Sequence, residues 1–355
     1  MVDFKYILPV DDNMPNNLTG LYSLIHSNSS LANMQALLRD KGLPFSGTWN
    51  DIFSKRIPTA LEEKTLLEAD LFEFLQDSEE HGAQHIFLFS TSASNLATLL
   101  SEEHLQNQLK GTQNADLLER PRTLVLPETP TLVDARYRQG EASGPFIVIK
   151  SYETRETYEQ VSVTEKDGRR LTEERLVRVR FSNVAKLHSS GILEIRIASR
   201  SNTNQYHADL VRFRSLINSI IDTNRFFECS LAEFKRKLAE GDQEAAEKIR
   251  SSQNRFKNRL GNIVTTSTGD VAKNLADDSG IKAGLAAFVN HEDGTYCEQS
   301  NFFVKMREGQ TVPSKDTNVV LSEKSNEFII RGKCSRVDYE YVLSTILEYN
   351  SPIPQ

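Results

Sequence analysis

Glu194 and Arg196 stand two apart in Leu193-Glu194-Ile195-Arg196-Ile197, on one face of any strand formed there. A Glu-x-Lys pair at that spacing serves metal-dependent nucleases, where acidic groups hold magnesium and the lysine helps activate water. Arginine does not titrate, and the sequence places no second carboxylate beside Glu194, so a structural pair is the competing reading. Thr265-Thr266-Ser267-Thr268-Gly269-Asp270 is polar and precedes an expected helix, whose first amides can hold an anion. It lacks the glycines and lysine of a P-loop, which favours a plain capped helix start. His81 and His85 are four apart, a zinc-pair spacing on a helix, without further ligands at recognisable spacing. His291 and Cys297 flank a segment that reads as a hairpin turn. A nucleophile–base–acid set cannot be recognised from sequence, because its chain order differs between folds. These residues imply no cofactor and no metal, and they favour binding over catalysis.

The cationic stretch is Leu176–Ile221. In Leu176-Val177-Arg178-Val179-Arg180-Phe181 the side chains alternate: Val177, Val179 and Phe181 on one face, Arg178 and Arg180 on the other. In the next strand Leu193, Ile195 and Ile197 oppose Glu194 and Arg196. An antiparallel sheet with one wet face predicts this alternation. Leu210, Phe213, Ile217 and Ile220 then recur at helical spacing. That helix is expected to cover the apolar face and leave the arginine face open. The open face is either a solvated surface with cross-strand ion pairs or a platform for an acidic partner.

The chain of 355 residues is long enough for two or three domains, and 38% hydrophobic with 26% charged residues fits a globular protein. The formal charge of −7 excludes a uniformly basic coat, not a local patch. Residues 1–80 hold about 6 basic and 13 acidic side chains, and residues 120–214 about 17 and 12. Cys229, Cys297 and Cys334 are too few and scattered for a disulfide scaffold, which implies a reducing compartment. The start, MVDFKYILPVDD, lacks the pattern of a secretion signal, and no apolar run has membrane-span length. A cytoplasmic protein is expected, or a nuclear one in a eukaryote.

Ser30 can cap a helix with Leu31, Met34, Leu37 and Leu38 on its stripe, stopped by Gly42 and Pro44. Ser46-Gly47-Thr48 turns the chain, and Thr48 with Asp51 can cap a second helix bearing Ile52, Phe53 and Ile57, which Pro58 is expected to close. The leucine-rich helix, Gly42-Leu43-Pro44, Ser46-Gly47-Thr48, Ile52 and Lys55 resemble the SAP motif, a helix–extended loop–helix module of DNA-binding proteins. The resemblance covers about 30 residues, 30–57. It implies DNA contact, for which Arg39, Lys41, Lys55 and Arg56 are available. That family usually carries lysine where this chain has Trp49.

Elsewhere a helix is expected over 67–84, a buried strand at Ile86–Phe89 and a helix over 93–109. Phe4–Val10 reads as an edge strand. Strands are expected at 122–127, 132–137 and 145–150. Lys166-Asp167-Gly168 should close a hairpin between 158–165 and 170–181. A helix over 243–260 would carry Lys248, Arg255 and Arg259 beside its stripe. A capped helix is expected at Ser230, and helices at 271–275, 281–289 and from Ser335, with strands at 301–306, 318–321 and 327–333. The expected fold class is α+β in three parts: a mainly helical 1–115, a β-rich basic 118–262 with covering helices, and a small α+β unit, 263–355. The favoured function is non-enzymatic binding of nucleic acid, most simply double-stranded DNA, through Arg178, Arg180 and Arg196 with Arg39, Lys41, Lys55, Arg56, Lys248, Arg255 and Arg259. The alternatives are a protein-interaction sensor or adaptor, with a protein partner or self-association, and a nuclease using Glu194.

Overall fold

The structure is a computed structural model and describes residues 18–123, 126–140, 144–200, 205–241, 243–270, 272–291, 294–306 and 312–350. The expected strand at Phe4–Val10 lies outside them. The class is α+β with antiparallel pairing. The strands are β1 (Gln84–Ser90), β2 (Thr131–Arg138), β3 (Phe146–Lys166), β4 (Arg169–His188), β5 (Ile192–Ala198), β6 (Phe227–Glu228), β7 (Ile249–Lys257), β8 (Ile263–Ser267), β9 (Tyr296–Val304), β10 (Thr317–Leu321) and β11 (Glu327–Ile330). The helices are α1 (Leu18–Asn28), α2 (Leu31–Asp40), α3 (Trp49–Asp51), α4 (Ile57–Glu62), α5 (Glu68–Glu80), α6 (Ala93–Leu99), α7 (Glu102–Leu109), α8 (Tyr206–Ile217), α9 (Ala232–Glu240), α10 (Gln243–Lys248), α11 (Ser279–His291) and α12 (Arg336–Asn350). No helix among the described residues is long and apolar enough to cross a membrane.

The chain forms two compact units, each from three stretches: residues 1–80, 96–189 and 207–223, and residues 81–95, 190–206 and 224–355. The three parts expected from the sequence follow chain order, whereas each unit gathers separate stretches. Hydrophobic runs locate strands, but they do not say which distant strands pair.

The first unit begins with a helical cluster. Ser30 caps α2 through the Asn33 amide, and Thr48 with Asp51 forms a full capping box on α3. Leu21, Ile25, Met34, Leu38, Ile52, Phe53, Ile57, Leu71 and Leu75 make its core. Pro58 does not close the helix there. Ile52–Arg56 widens into a π turn, and α4 continues with Pro58 inside its first turn, where the missing N–H costs nothing. Trp49 stacks on Phe53 (centroids 5.1 Å apart) beside His26, so it belongs to this packing.

The same unit holds the sheet β2-β3-β4. Ile147, Ile149, Ala185 and Leu187 are buried on one face. Asp134, Arg136, Lys150, Tyr152 and Arg180 alternate onto the other. That polar face was expected to lie open; instead the end of α5 covers it. Glu79 pairs with Arg180 and with Lys150 Nζ at 2.6 Å, and Tyr152 donates its hydroxyl proton to Glu79 at 2.7 Å. Glu80 takes a forked pair from Arg136 at 2.6 and 2.8 Å. Arg136 also pairs with Asp134, which accepts from Gln76 at 3.1 Å. Three carboxylates thus face three cations in a charge-balanced cluster, buried except for the half-buried Arg136.

The second unit carries β5-β1-β11-β10-β9-β7-β8, with β6 on the end of β1. Phe234 and Leu238 of α9 and Tyr339, Val342 and Ile346 of α12 pack on Ile86, Leu88, Phe302, Val319 and Phe328. The helix expected over 243–260 stops at Lys248, and the chain continues as β7. Ile249 and Phe256 lie seven apart, which suits a helix, but Ser251, Ser252 and Asn254 between them are poor helix formers and are buried in the sheet. The helix expected over 67–84 ends at Glu80, and that over 93–109 breaks where Ser101 caps α7.

Burial alone would push the Glu79 carboxyl up, but the charges of Arg180 and Lys150 and the bonds from Lys150 and Tyr152 hold it below the usual range. Burial opposes the Lys150 ammonium too, but Glu79, Tyr152 and Glu80 together outweigh it, leaving Lys150 raised. Burial, with Glu79 adding, pushes the Tyr152 phenol up to about 12. A depressed carboxyl contributes stability above its unfolded pKa and loses it as pH falls through the folded one. A raised lysine loses its contribution only as pH rises past the ordinary lysine range. Glu79→Gln should therefore cost about 3–5 kcal/mol near neutrality. The variant should also show a flatter loss of stability below about pH 4. Urea unfolding at both pH values checks this, and a cost under about 1 kcal/mol at pH 7 would mean that the cluster is not buried as described.

Candidate functional site

Beyond the ionic cluster β3 and β4 run on as a two-stranded ribbon. Asp167 and Gly168 turn the chain with φ of +53° and +72°, the left-handed pair that a two-residue hairpin turn needs. The register runs from Glu156↔Arg178 through Tyr158↔Leu176 and Val163↔Thr172 to Lys166↔Arg169, with one extra residue in β3 between Gln160 and Ser162. The cover ends abruptly. Arg180 and Tyr152 are buried, whereas Tyr158 and Leu176, on the same face, are 69% and 51% exposed. Val161, Val163 and Leu171 are exposed as well. Among the described residues, five of the fifteen large exposed hydrophobic ones therefore lie in this short segment, which is why it is the candidate site.

The root of the ribbon is held on both faces. On one, Arg180 is tied to Glu79, donates to the Thr123 carbonyl at 2.6 Å and lies 4.0 Å over the Tyr152 ring. On the other, Arg155 pairs with Glu153, lies 4.3 Å over the Phe181 ring and approaches Asp209 of α8 at 3.7 Å. Past these anchors the ribbon carries Glu156, Glu159, Glu165, Asp167, Glu173 and Glu174 against Lys166, Arg169, Arg170, Arg175 and Arg178. Glutamate is opposed by arginine at 156/178, 159/175 and 165/170. The charge is balanced by design of the ladder itself, as stable cross-strand pairs require. Beyond Glu153, no described strand pairs with the outer side of β3.

The expected nucleic-acid residues do not form one surface. Arg178 is exposed on the ribbon, but Arg180 is buried on Glu79. Arg196 is buried too: it pairs with Glu194 at 2.9 Å and lies 4.1 Å over the Tyr339 ring, and Tyr339 donates its hydroxyl to Glu194. The open arginine platform is thus corrected to two neutralised, buried arginines and one exposed. Arg39 lies over the Phe45 ring, Lys41 pairs with Asp70 at 2.7 Å, Lys55 is exposed and Arg56 half-buried. Lys248 pairs with Glu348 at 2.7 Å and Arg255 with Glu298 at 3.0 Å, and Arg259 is exposed after β7. Lys248, Arg255 and Arg259 lie on no common helix, because that helix is a strand after Ile249.

Helix, extended turn and helix do follow one another over 30–57, an order common to many helical pairs and no evidence for the SAP motif. The histidine pair is likewise undone: α5 ends before His81, while His85 sits in β1, bonded to Glu327 at 2.6 Å. Glu194 lies beneath Tyr339, and no group of three or more His, Cys, Asp or Glu among the described residues is placed to hold a metal. Sequence reading foresaw the hairpin but not its exposure, for which a proline-free alternation interrupted by charged pairs was the available signal. No protein-family model matches the chain, and no curated protein matches it.

Gly168 has open space around its missing side chain, so a substitution there acts through the backbone alone. Gly168→Val should cost roughly 1–2 kcal/mol of local stability. Amide hydrogen exchange should quicken across 160–175 and stay unchanged in α5 and β2. Uniform quickening of all three would show that the ribbon does not open as a separate element.

Proposed function

We propose that this protein is a non-enzymatic interaction subunit whose ribbon docks on another protein. The observation that carries the reading is the exposure of Tyr158, Leu176, Val163 and Leu171 on a ribbon whose root is fixed on both faces. A free two-stranded ribbon is marginal in water, and exposed apolar rows on one are satisfied by a partner. The partner's chemistry follows from the charge. Five basic and six acidic residues between 156 and 178 offer a polyanion no net attraction. They suit a protein surface of mixed charge with an apolar centre.

A second copy of the chain fits less well. The extra residue in β3 puts its two halves out of phase, so the symmetric antiparallel register using the whole free edge sets Glu156 against Glu165 and Arg155 against Lys166. Like charges face each other at both positions, which disfavours self-pairing. The DNA reading retains Arg39, Lys55 and Arg56 near the second helix and Arg178 on the ribbon, without a shared surface to support it.

Glu156 and Arg178 are directly opposed, so an Asn-Gly turn can replace residues 157–177. In extract of the source cells the intact protein should run well above the mass of one chain, and the shortened protein should lose that excess while keeping its melting temperature. Tyr158→Ser with Leu176→Ser should do the same without shortening. Equal mobility of intact and altered proteins overturns the proposal. A salt-sensitive shift of duplex DNA, surviving the shortening, would favour the DNA reading instead.

A further inference from the structure

The second unit has an open groove of about 850 Å³ that the ribbon reading leaves unused. Its walls come from Ala246 of α10, Arg250 of β7, the end of β8 with the turn after it, residues 272–278, Ile281 of α11 and Lys305 just past β9. Arg250 is opposite Phe303 in the ladder, and Lys305 lies two residues on, so Arg250, Phe303 and Lys305 share one face. The opposite face, with Ile249 and Val304, belongs to the hydrophobic core. Arg250 is braced by Asp316 at 2.8 Å and lies 4.8 Å over the Phe303 ring; Lys305 donates to the Ala246 carbonyl at 2.6 Å. Facing them are Ser267, Thr268 and Gly269, with Lys273 at the rim. No described atom lies near the bare Cα of Gly269, which leaves its backbone open.

We propose that this groove holds the phosphate group of a small molecule. Two braced cations, a third at the rim, two hydroxyls and an open glycine backbone match a tetrahedral anion with several acceptor oxygens. Two polar atoms beneath the wall, Arg250 Nε and Thr268 Oγ1, are buried without a hydrogen-bond partner among the described residues, so this wall carries unmet bonding capacity. Asp270, Asp277 and Asp278 also line the groove and Asp316 pairs with Arg250, so net charge gives no attraction here and the anion would be held by directed hydrogen bonds from the cations and hydroxyls. Asp270 and Asp278 are turned to backbone amides, accepting from Ala272 and Ile281 at 2.9 Å each. Asp277 remains as an acceptor for hydroxyls on the rest of the ligand. Of the polar run Thr265–Asp270, which lacks the pattern of a P-loop, Ser267–Asp270 line the groove from the end of β8 and the turn after it.

Inorganic phosphate is the probe, added to the full chain at millimolar concentration with ionic strength fixed by sodium chloride. The melting temperature should rise with phosphate and saturate. Arg250→Gln and Lys305→Gln should each weaken the apparent affinity about tenfold. Because Arg250 also braces Asp316, the exposed Lys273→Gln serves as the variant that leaves the fold alone, with a smaller loss of affinity. Absence of saturation in the natural chain overturns the proposal, as does an unchanged response in all three variants.

Discussion

The buried carboxylate of Glu79 is the constraint on which the first unit depends. It sits where α5 ends, against a sheet face bearing Lys150, Tyr152 and Arg180. Each of these groups would be costly to bury alone, and each is acceptable only because the others are present. The cluster therefore fixes position more than it adds stability. A helix laid on an apolar sheet face can slide by a turn at small cost, whereas one matched to three cations through two adjacent glutamates cannot. The second unit repeats the device in smaller form: Glu194 and Arg196 of β5 meet Tyr339 of α12, and burial raises the Tyr339 hydroxyl far above its ordinary range, so it stays a proton donor to Glu194.

That fixed position has its effect at the ribbon. β3 and β4 leave the cover of α5 immediately after Arg180, with their direction set by the pair at their root. A two-stranded ribbon gains little from its own ladder, so its stiffness must come from its turn and its anchors. The turn is set by the left-handed Asp167-Gly168 pair and the anchors by Arg180 and Arg155. Between them lie exposed apolar side chains and charges that are opposed at 156/178, 159/175 and 165/170, which leaves the apolar rows for a partner.

Much of this was legible in the sequence. The Asp-Gly turn, the alternation in 176–181 and 193–197, the capping of α2 and α3 and the strands at 86–89 and 318–321 all rest on local chemistry, and each is found. What local chemistry does not carry was misread. Residues 249–257 hold apolar side chains at a spacing that fits either a helix or a bulged strand, and only the neighbouring strands β8 and β9 decide. His81 and His85 are helical neighbours only if α5 continues past Glu80, and it does not.

The arginine face shows where the limit lies. Alternation correctly assigns Arg180 to the polar side of its strand, yet a polar side is compatible with water or with a charged cover. The deciding residues, Glu79 and Glu80, stand about a hundred positions earlier, at the end of the helix α5. Two adjacent glutamates closing a helix are unfavourable at that end of its dipole. Such a local conflict is itself a signal, since it persists only where something opposite in charge compensates. Matching the acidic helix end to the basic strands gives the burial of Arg180 by charge pairing, and on the same face, beyond Glu156 and Arg178, it leaves Tyr158 and Leu176 as the first apolar pair without a cover.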